Sequence, residues 1–192
     1  MGPVKLTLKI TPLSVLRTST HHIPAHGHIP NTSLAPHPLL IYHSAFAREP
    51  LPNPSTIEGH LRRIGAVHPQ WRHTMYNQSH FHSTSHELLV VFRGAARLLF
   101  GGDGNPGAVT AEARMGDAML VPAGVAHRLL EDLQEGSAFE MIGSYPVGKN
   151  WDMCHGDGRA AEDVQGIRER IRGQGWFDKD PIYGDEGPAL RI

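Results

Sequence analysis

The pair His80 and His82, followed by Glu87, constrains this chain more than any other feature. In an extended strand, residues two apart point to the same face. Two imidazoles at that spacing therefore aim at one point. Ser83-Thr84-Ser85 can turn the chain between them and Glu87, so that the carboxylate returns to the same point from the next strand. That arrangement offers three ligands to one divalent metal ion. A fourth, His127, stands about forty residues on, at the end of the segment that starts at Gly116 and passes through Pro122 and Gly124. Four ligands of mixed nitrogen and oxygen type suit a transition metal.

The surroundings of these residues read as strands. Short β-rich runs occupy 88–92, 96–100, 109–113, 118–121, 127–130 and 139–144. Turn signals separate them: Gly101 to Gly107, Met115-Gly116-Asp117, Pro122-Ala123-Gly124 and Glu135-Gly136-Ser137. Many short strands with regular turn spacing predict an all-β sandwich or barrel. Helix signals flank it. Ser55-Thr56-Ile57-Glu58 reads as a capping box, with Ile57, Leu61 and Ile64 at helical spacing and Gly65 as the stop. Val164, Ile167 and Ile171 share a face of a second helix, which Gly173 closes.

Three segments follow: 1–54 as an N-terminal extension over the barrel or a partner subunit, 55–147 as a barrel with its leading helix, and 148–192 as a helical tail. The extension holds a strand candidate, Val4 to Ile10, and an apolar run, Leu39 to Tyr42. It contains no Asp or Glu before Glu49, and Lys5, Lys9 and Arg17 lie among Ser and Thr, a composition like that of a transit segment. The alternation of Val4, Leu6, Leu8 and Ile10 with polar residues has strand period and favours a strand. His21, His22, His26, His28, His37 and His43 are expected to be solvated loop histidines.

A formal net charge of −1 in 192 residues gives no reason to expect nucleic acid or an anionic membrane as partner. No apolar run approaches the length of a membrane helix, and the start lacks the apolar core of a secretory signal. Cys154 is the only cysteine, so no internal disulfide is possible; it is read as structural. A cytoplasmic protein is the expectation.

The two histidine segments together resemble a known family. His80-x-His82-x4-Glu87-x6-Gly94 is similar to the first cupin motif, and Gly116-x5-Pro122-x-Gly124-x2-His127 to the second. Tyr145-Pro146-x-Gly148 and Trp151-Asp152-Met153 resemble a subgroup of small single-domain cupins without settled function. The resemblance implies a double-stranded β-helix, or jelly roll, with one divalent transition metal (Fe, Mn, Ni or Zn) held inside by His80, His82, Glu87 and His127. Two positions depart from the pattern: Glu131 stands where Asn is usual, and Thr74 where Gly is usual. A turn could bring in His86 instead of Glu87, but the spacing to Gly94 favours Glu87.

Strand parity back from His80 places Gln78, Tyr76, Thr74 and Arg72 on the inner face, with Tyr76 and Gln78 as candidates to orient a substrate or a ligand. One bulge would reverse the set. Leu89 and Val91 should share the face of Glu87, while Met119, Val121, Phe139 and Met141 read as core. The resulting expectation is a metal-dependent enzyme acting on a small oxygenated organic molecule, foremost a dioxygenase or other oxygenase. An isomerase or decarboxylase, and a non-enzymatic binding cupin, are the alternatives. A homodimer is expected, paired through the N-terminal strand or the aliphatic sheet faces.

Overall fold

Apolar residues are spaced in two ways along the strands, and the two patterns build different sheets. The computed structural model describes residues 8–49, 53–134, 138–158 and 163–192. In chain order they form β1 (Arg17–His21), β2 (Leu39–His43), α1 (Pro54–Ile64), β3 (Val67–His73), β4 (Glu87–Arg93) and β5 (Ala95–Phe100). Then come β6 (Val109–Arg114), β7 (Ala118–Val121), β8 (His127–Asp132), β9 (Glu140–Pro146) and α2 (Val164–Arg172). A six-stranded antiparallel sheet has the order β1-β2-β7-β4-β9-β3, and a three-stranded one the order β6-β5-β8. This is the expected mainly-β jelly roll with two helices.

Strands β2, β4 and β7 are nearly continuous apolar runs because the large sheet is covered on both faces. Its inner face sets Leu39, Ile41, Leu89, Val91, Met119 and Met141 against Ala96, Leu98 and Phe100 of the small sheet. Its outer face sets Leu40, Tyr42, Leu88, Val90 and Leu120 against Ile57 and Leu61 of α1 and Ile182 and Ala189 of the tail. Burial of each such aliphatic side chain contributes about 1.5–3 kcal/mol. The small sheet alternates instead. In β5, Ala96, Leu98 and Phe100 are buried while Ala95, Arg97 and Leu99 are only half-buried, so its outer face meets solvent.

The capping box predicted at Ser55 does not form. Helix α1 starts one residue earlier, at Pro54, and Asn53 is its cap, with Oδ1 accepting from the Ser55 N–H at 2.9 Å. Proline at the first helical position has the right φ and no N–H to satisfy. Glu58 is thereby free to pair with Arg72 at 2.6 Å. Gly65 ends the helix in the left-handed region at φ 77°. In α2, Ile167 and Ile171 pack on Phe81, Ala123 and Ala126, and Gly173 follows the last turn.

The apolar run at 39–43 lies inside the large sheet, paired with β1 on one side and β7 on the other. Most of the strand predicted at 4–10 falls outside the described residues; Ile10 makes an antiparallel bridge to Phe46. Not all the N-terminal histidines are solvated loop residues. His21 lies in β1 and His43 in β2, where its Nε2 meets Ser19 Oγ at 2.7 Å. His37 stacks on Trp176 with ring centroids 4.1 Å apart. These residues come from strand pairing and tail docking, which the local sequence around them does not encode. No helix among the described residues is long and apolar enough to cross a membrane.

Candidate metal centre

The segment that carries the first two histidines is held between two others. His80 and His127 form an antiparallel bridge, with the His127 N–H donating to the His80 carbonyl at 2.8 Å. On the other side, Phe81 bridges Cys154, with N–H to carbonyl bonds of 2.8 and 2.9 Å. The segment is thus extended. His80 and His82 face inward, while Phe81 points out into the cluster under α2. Asp152 pins the turn that follows: its carboxylate accepts from the Ser83 and Thr84 N–H groups and from the Ser83 hydroxyl. The chain then returns at Glu87, the first residue of β4, opposite Val121.

The three imidazoles share one tautomer. Nδ1 of His80 meets the Gln78 carbonyl at 3.0 Å, Nδ1 of His127 meets the Val125 carbonyl at 3.0 Å, and Nδ1 of His82 meets the Asp152 carbonyl. A carbonyl only accepts, so each Nδ1 carries the proton, and each neutral ring keeps a lone pair on Nε2. One ring nitrogen from each residue lies within 4.8 Å of the other two. Glu87 Oε2 sits 3.4 Å from His82 Nε2 and 3.3 Å from His127 Nε2. This buried oxygen makes no well-formed hydrogen bond. Glu87 Oε1 is occupied: it accepts from the Tyr145 hydroxyl at 2.6 Å, which accepts from the Trp71 indole N–H at 2.8 Å.

The electrostatics follow from burial and proximity. Burial, then the His127 ring, lowers the His80 pKa to about 3. Burial disfavours the His82 cation, but the nearby Glu87 charge and the hydrogen bond to the Asp152 carbonyl outweigh it and raise its pKa. Burial also opposes the Glu87 charge, and the His82 and His127 rings outweigh that, holding the carboxyl well below the usual range. Burial and the Glu87 charge push the Tyr145 phenol up, so it stays protonated and donates. Three convergent lone pairs and an unpaired carboxylate oxygen in a buried site are costly groups to leave unsatisfied. A divalent cation would satisfy the three imidazoles at once, so these residues fit one, with Glu87 Oε2 beside two of them.

A cavity of about 210 Å³ opens over these groups, walled by Trp71, Tyr76, Leu89, Met141, Trp151 and Met153 among others. Of the residues singled out by strand parity, Tyr76 stands at the mouth with its ring 5.5 Å from that of His80, and Arg72 and Thr74 line the wall. Gln78 is exposed, and its carbonyl is what reaches His80. The strand leading to His80 is not regular. It has a register shift between Pro69 and Trp71 and ends at His73, so Trp71 and Met75 enter the interior instead. Leu89 and Val91 share the face of Glu87, and Met119, Val121, Phe139 and Met141 lie in the core between the sheets. Glu131 lies in β8, ion-paired with Arg97 at 2.5 Å.

His86 takes no part in the site. Its Nδ1 accepts from the Ala123 N–H at 3.0 Å and its Nε2 meets the Gly175 carbonyl at 3.1 Å. Cys154 is buried, its Sγ 3.5 Å from Asp152 Oδ2. Three contributors escaped the sequence reading: Trp71, Tyr145 and the Asp152 carbonyl. Tyr145 had a signal. Parity through Phe139 and Met141, both read as inward, continues to Gly143 and Tyr145. At Gly143 a Cβ would lie 1.9 Å from the Trp71 indole, so glycine there leaves the space the indole fills.

Comparison with known proteins adds the following. Residues 60–146 match the family model described as Cupin. An uncharacterised protein of Bacillus subtilis, YjlB, is 31% identical over 175 residues, covering 91% of this chain and 96% of that protein. Among solved structures, tomato vicilin is 20% identical with a TM-score of 0.35, covering 48% of this chain and 25% of vicilin. A Bacillus subtilis oxalate decarboxylase variant is 16% identical with a TM-score of 0.35, covering 62% of this chain and 23% of that one. The chain therefore spans about a quarter of the length of these two structures.

Proposed function

This chain belongs to the cupin family, and on that basis we propose that it is a metal-dependent cupin enzyme that oxygenates a small, oxygenated organic molecule. One observation carries the reading: three imidazoles converge at the floor of an open cavity, with Glu87 Oε2 within 3.4 Å of two of them. His80, His82, His127 and Glu87 would hold one Fe, Mn, Ni or Zn ion. Such an ion supplies Lewis acidity and, for iron or manganese, redox chemistry.

The chain's own groups do the rest. The three carbonyls fix the rings, and Tyr145 keeps one carboxylate oxygen turned away from the centre so that the other faces it. The apolar wall of Leu89, Met141 and Met153 excludes water from a bound substrate. Oxygenation is favoured over isomerisation or decarboxylation by what the wall lacks. Those reactions need a positioned group to move a proton. Among the described residues the cavity lining contains no carboxylate besides Glu87 and no lysine, and the Tyr145 phenol is a poor acid. His73 and the Tyr76 phenol remain, and both are exposed at the rim. A homodimer belongs to the same reading, because β1 ends the large sheet with no strand beyond it among the described residues.

The test is metal analysis of the purified protein, then anaerobic loading with Fe(II) and measurement of O2 uptake over a panel of diketones and phenols. One ion per chain and uptake dependent on one class of compound are the expected results. Silence across the panel with a redox-inert metal bound would replace oxygenation with isomerase or lyase chemistry. No bound metal under any loading would remove the enzyme reading.

A further inference from the structure

Three of the large apolar side chains that this protein leaves in solvent meet at one place. Tyr76 is 56% exposed, Trp151 40% and Met153 38%, and all three line the cavity above the histidines. Exposed apolar side chains scattered singly need no explanation, but a contiguous group around a concave opening does. The two rings are anchored to the floor beneath them. Tyr76 stands nearly perpendicular to His80, at 5.5 Å and 77°, and Trp151 lies 5.9 Å from His82. They come from separate segments: Tyr76 follows β3, whereas Trp151 precedes the Asp152 residue that holds His82.

Polarity is divided along the cavity. The three imidazoles and the Glu87 carboxylate are at the floor. At the rim, the Arg72 guanidinium is already engaged by Glu58 at 2.6 Å and Ser55 at 3.0 Å. The occupant that fits has oxygen donors at one end and a flat apolar body at the other. The volume of about 210 Å³ falls below the roughly 300–1,000 Å³ of sites for drug-sized ligands, which limits that body to a single ring on a short arm.

We infer that Tyr76, Trp151 and Met153 form an aryl subsite, and that the substrate is a monocyclic aromatic compound with a short oxygen-bearing chelating arm. This rests on the metal-site reading above. The two aromatic side chains and the Met153 thioether, which line the same cavity, distinguish an aromatic ring from an aliphatic one of equal size through ring–ring and sulfur–ring contacts.

Hydroxamates that share one chelating end and differ in their tails test it. Acetohydroxamate, cyclohexanecarbohydroxamate and benzohydroxamate are titrated into the Zn(II)- or Co(II)-loaded protein, with Trp fluorescence and the Co(II) spectrum as readouts. Benzohydroxamate should bind more than about tenfold tighter than acetohydroxamate, and about two- to tenfold tighter than the cyclohexane compound. In the Tyr76→Ala/Trp151→Ala double variant that preference should vanish while acetohydroxamate binds as before. Equal affinity for all three compounds in the unsubstituted protein would overturn the aryl subsite and leave the metal centre standing. A protein that takes up no metal would sink both. An altered oligomeric state in the double variant would assign these side chains to an interface between copies and overturn the subsite as well.

Discussion

His82 and His86 stand four residues apart and are buried to the same degree, with 5% and 2% of their surface exposed. They serve opposite ends. The His82 Nδ1–H is held by a carbonyl, and its Nε2 looks into the cavity toward Glu87. His86 has the other tautomer: Nδ1 accepts from a backbone N–H, so Nε2 carries the proton and donates to the Gly175 carbonyl. Burial lowers the His86 pKa to about 4, whereas the Glu87 charge overcomes burial at His82 and raises it. A buried histidine therefore says little by itself. Which backbone group each nitrogen meets decides whether a lone pair is left for a metal. His86 has none to spare, and what it joins is the Pro122-Ala123-Gly124 turn and the C-terminal tail.

The contrast breaks most sharply under substitution of the pair. His82→Ala should weaken metal binding by more than about hundredfold, beyond what loss of an outer partner does, as read by competition titration. His86→Ala should leave metal stoichiometry and affinity unchanged. It should instead lower unfolding stability by about 2–3 kcal/mol, because the buried Ala123 N–H loses its acceptor and a buried ring is removed. Metal loss on His86→Ala in a protein of undiminished stability would reverse the two assignments.

Tyr145→Phe sharpens the same point at one remove. The hydroxyl engages Glu87 Oε1 and leaves Oε2 to the centre. Its removal should weaken metal affinity about 10- to 100-fold, with a changed Mn(II) or Co(II) spectrum as the carboxylate turns. An unchanged spectrum and affinity would make the phenol a packing group only. The smallest effect belongs to Gln78→Ala. His80 is oriented by the Gln78 carbonyl, which every residue carries, so metal affinity should shift by less than about twofold.

Parts of this arrangement can be read from the chain because they depend on short-range geometry. Two histidines at spacing two must share a face if the segment is extended, and Phe81 between them must face away. The apolar runs of β2, β4 and β7 announce a sheet covered on both sides. Tyr145 was within reach by the same parity, two steps beyond Met141. The inward set before His80 was legible only in part, since Arg72, Thr74 and Tyr76 line the cavity and Gln78 does not. A register shift at Pro69/Trp71 and the strand end at His73 break the count, and nothing local marks how the Trp71 indole seats over Gly143. The predicted cap at Ser55 failed for a neighbouring reason: Asn53-Pro54 offers an earlier start, and Glu58 has a stronger partner in Arg72.

The sequence by itself determined the family, the mainly-β fold and which imidazoles could meet, since motif spacing and strand period are properties of the covalent chain. Only the tertiary structure decided the tautomers and the use of each carboxylate oxygen. It also decided that His82 and His86, so near in sequence, are unlike in chemistry. Those outcomes depend on Asp152, Tyr145 and Gly175, which lie 58 to 89 residues from the groups they hold. The folded backbone alone sets which carbonyl or N–H lies within 3 Å of a given ring.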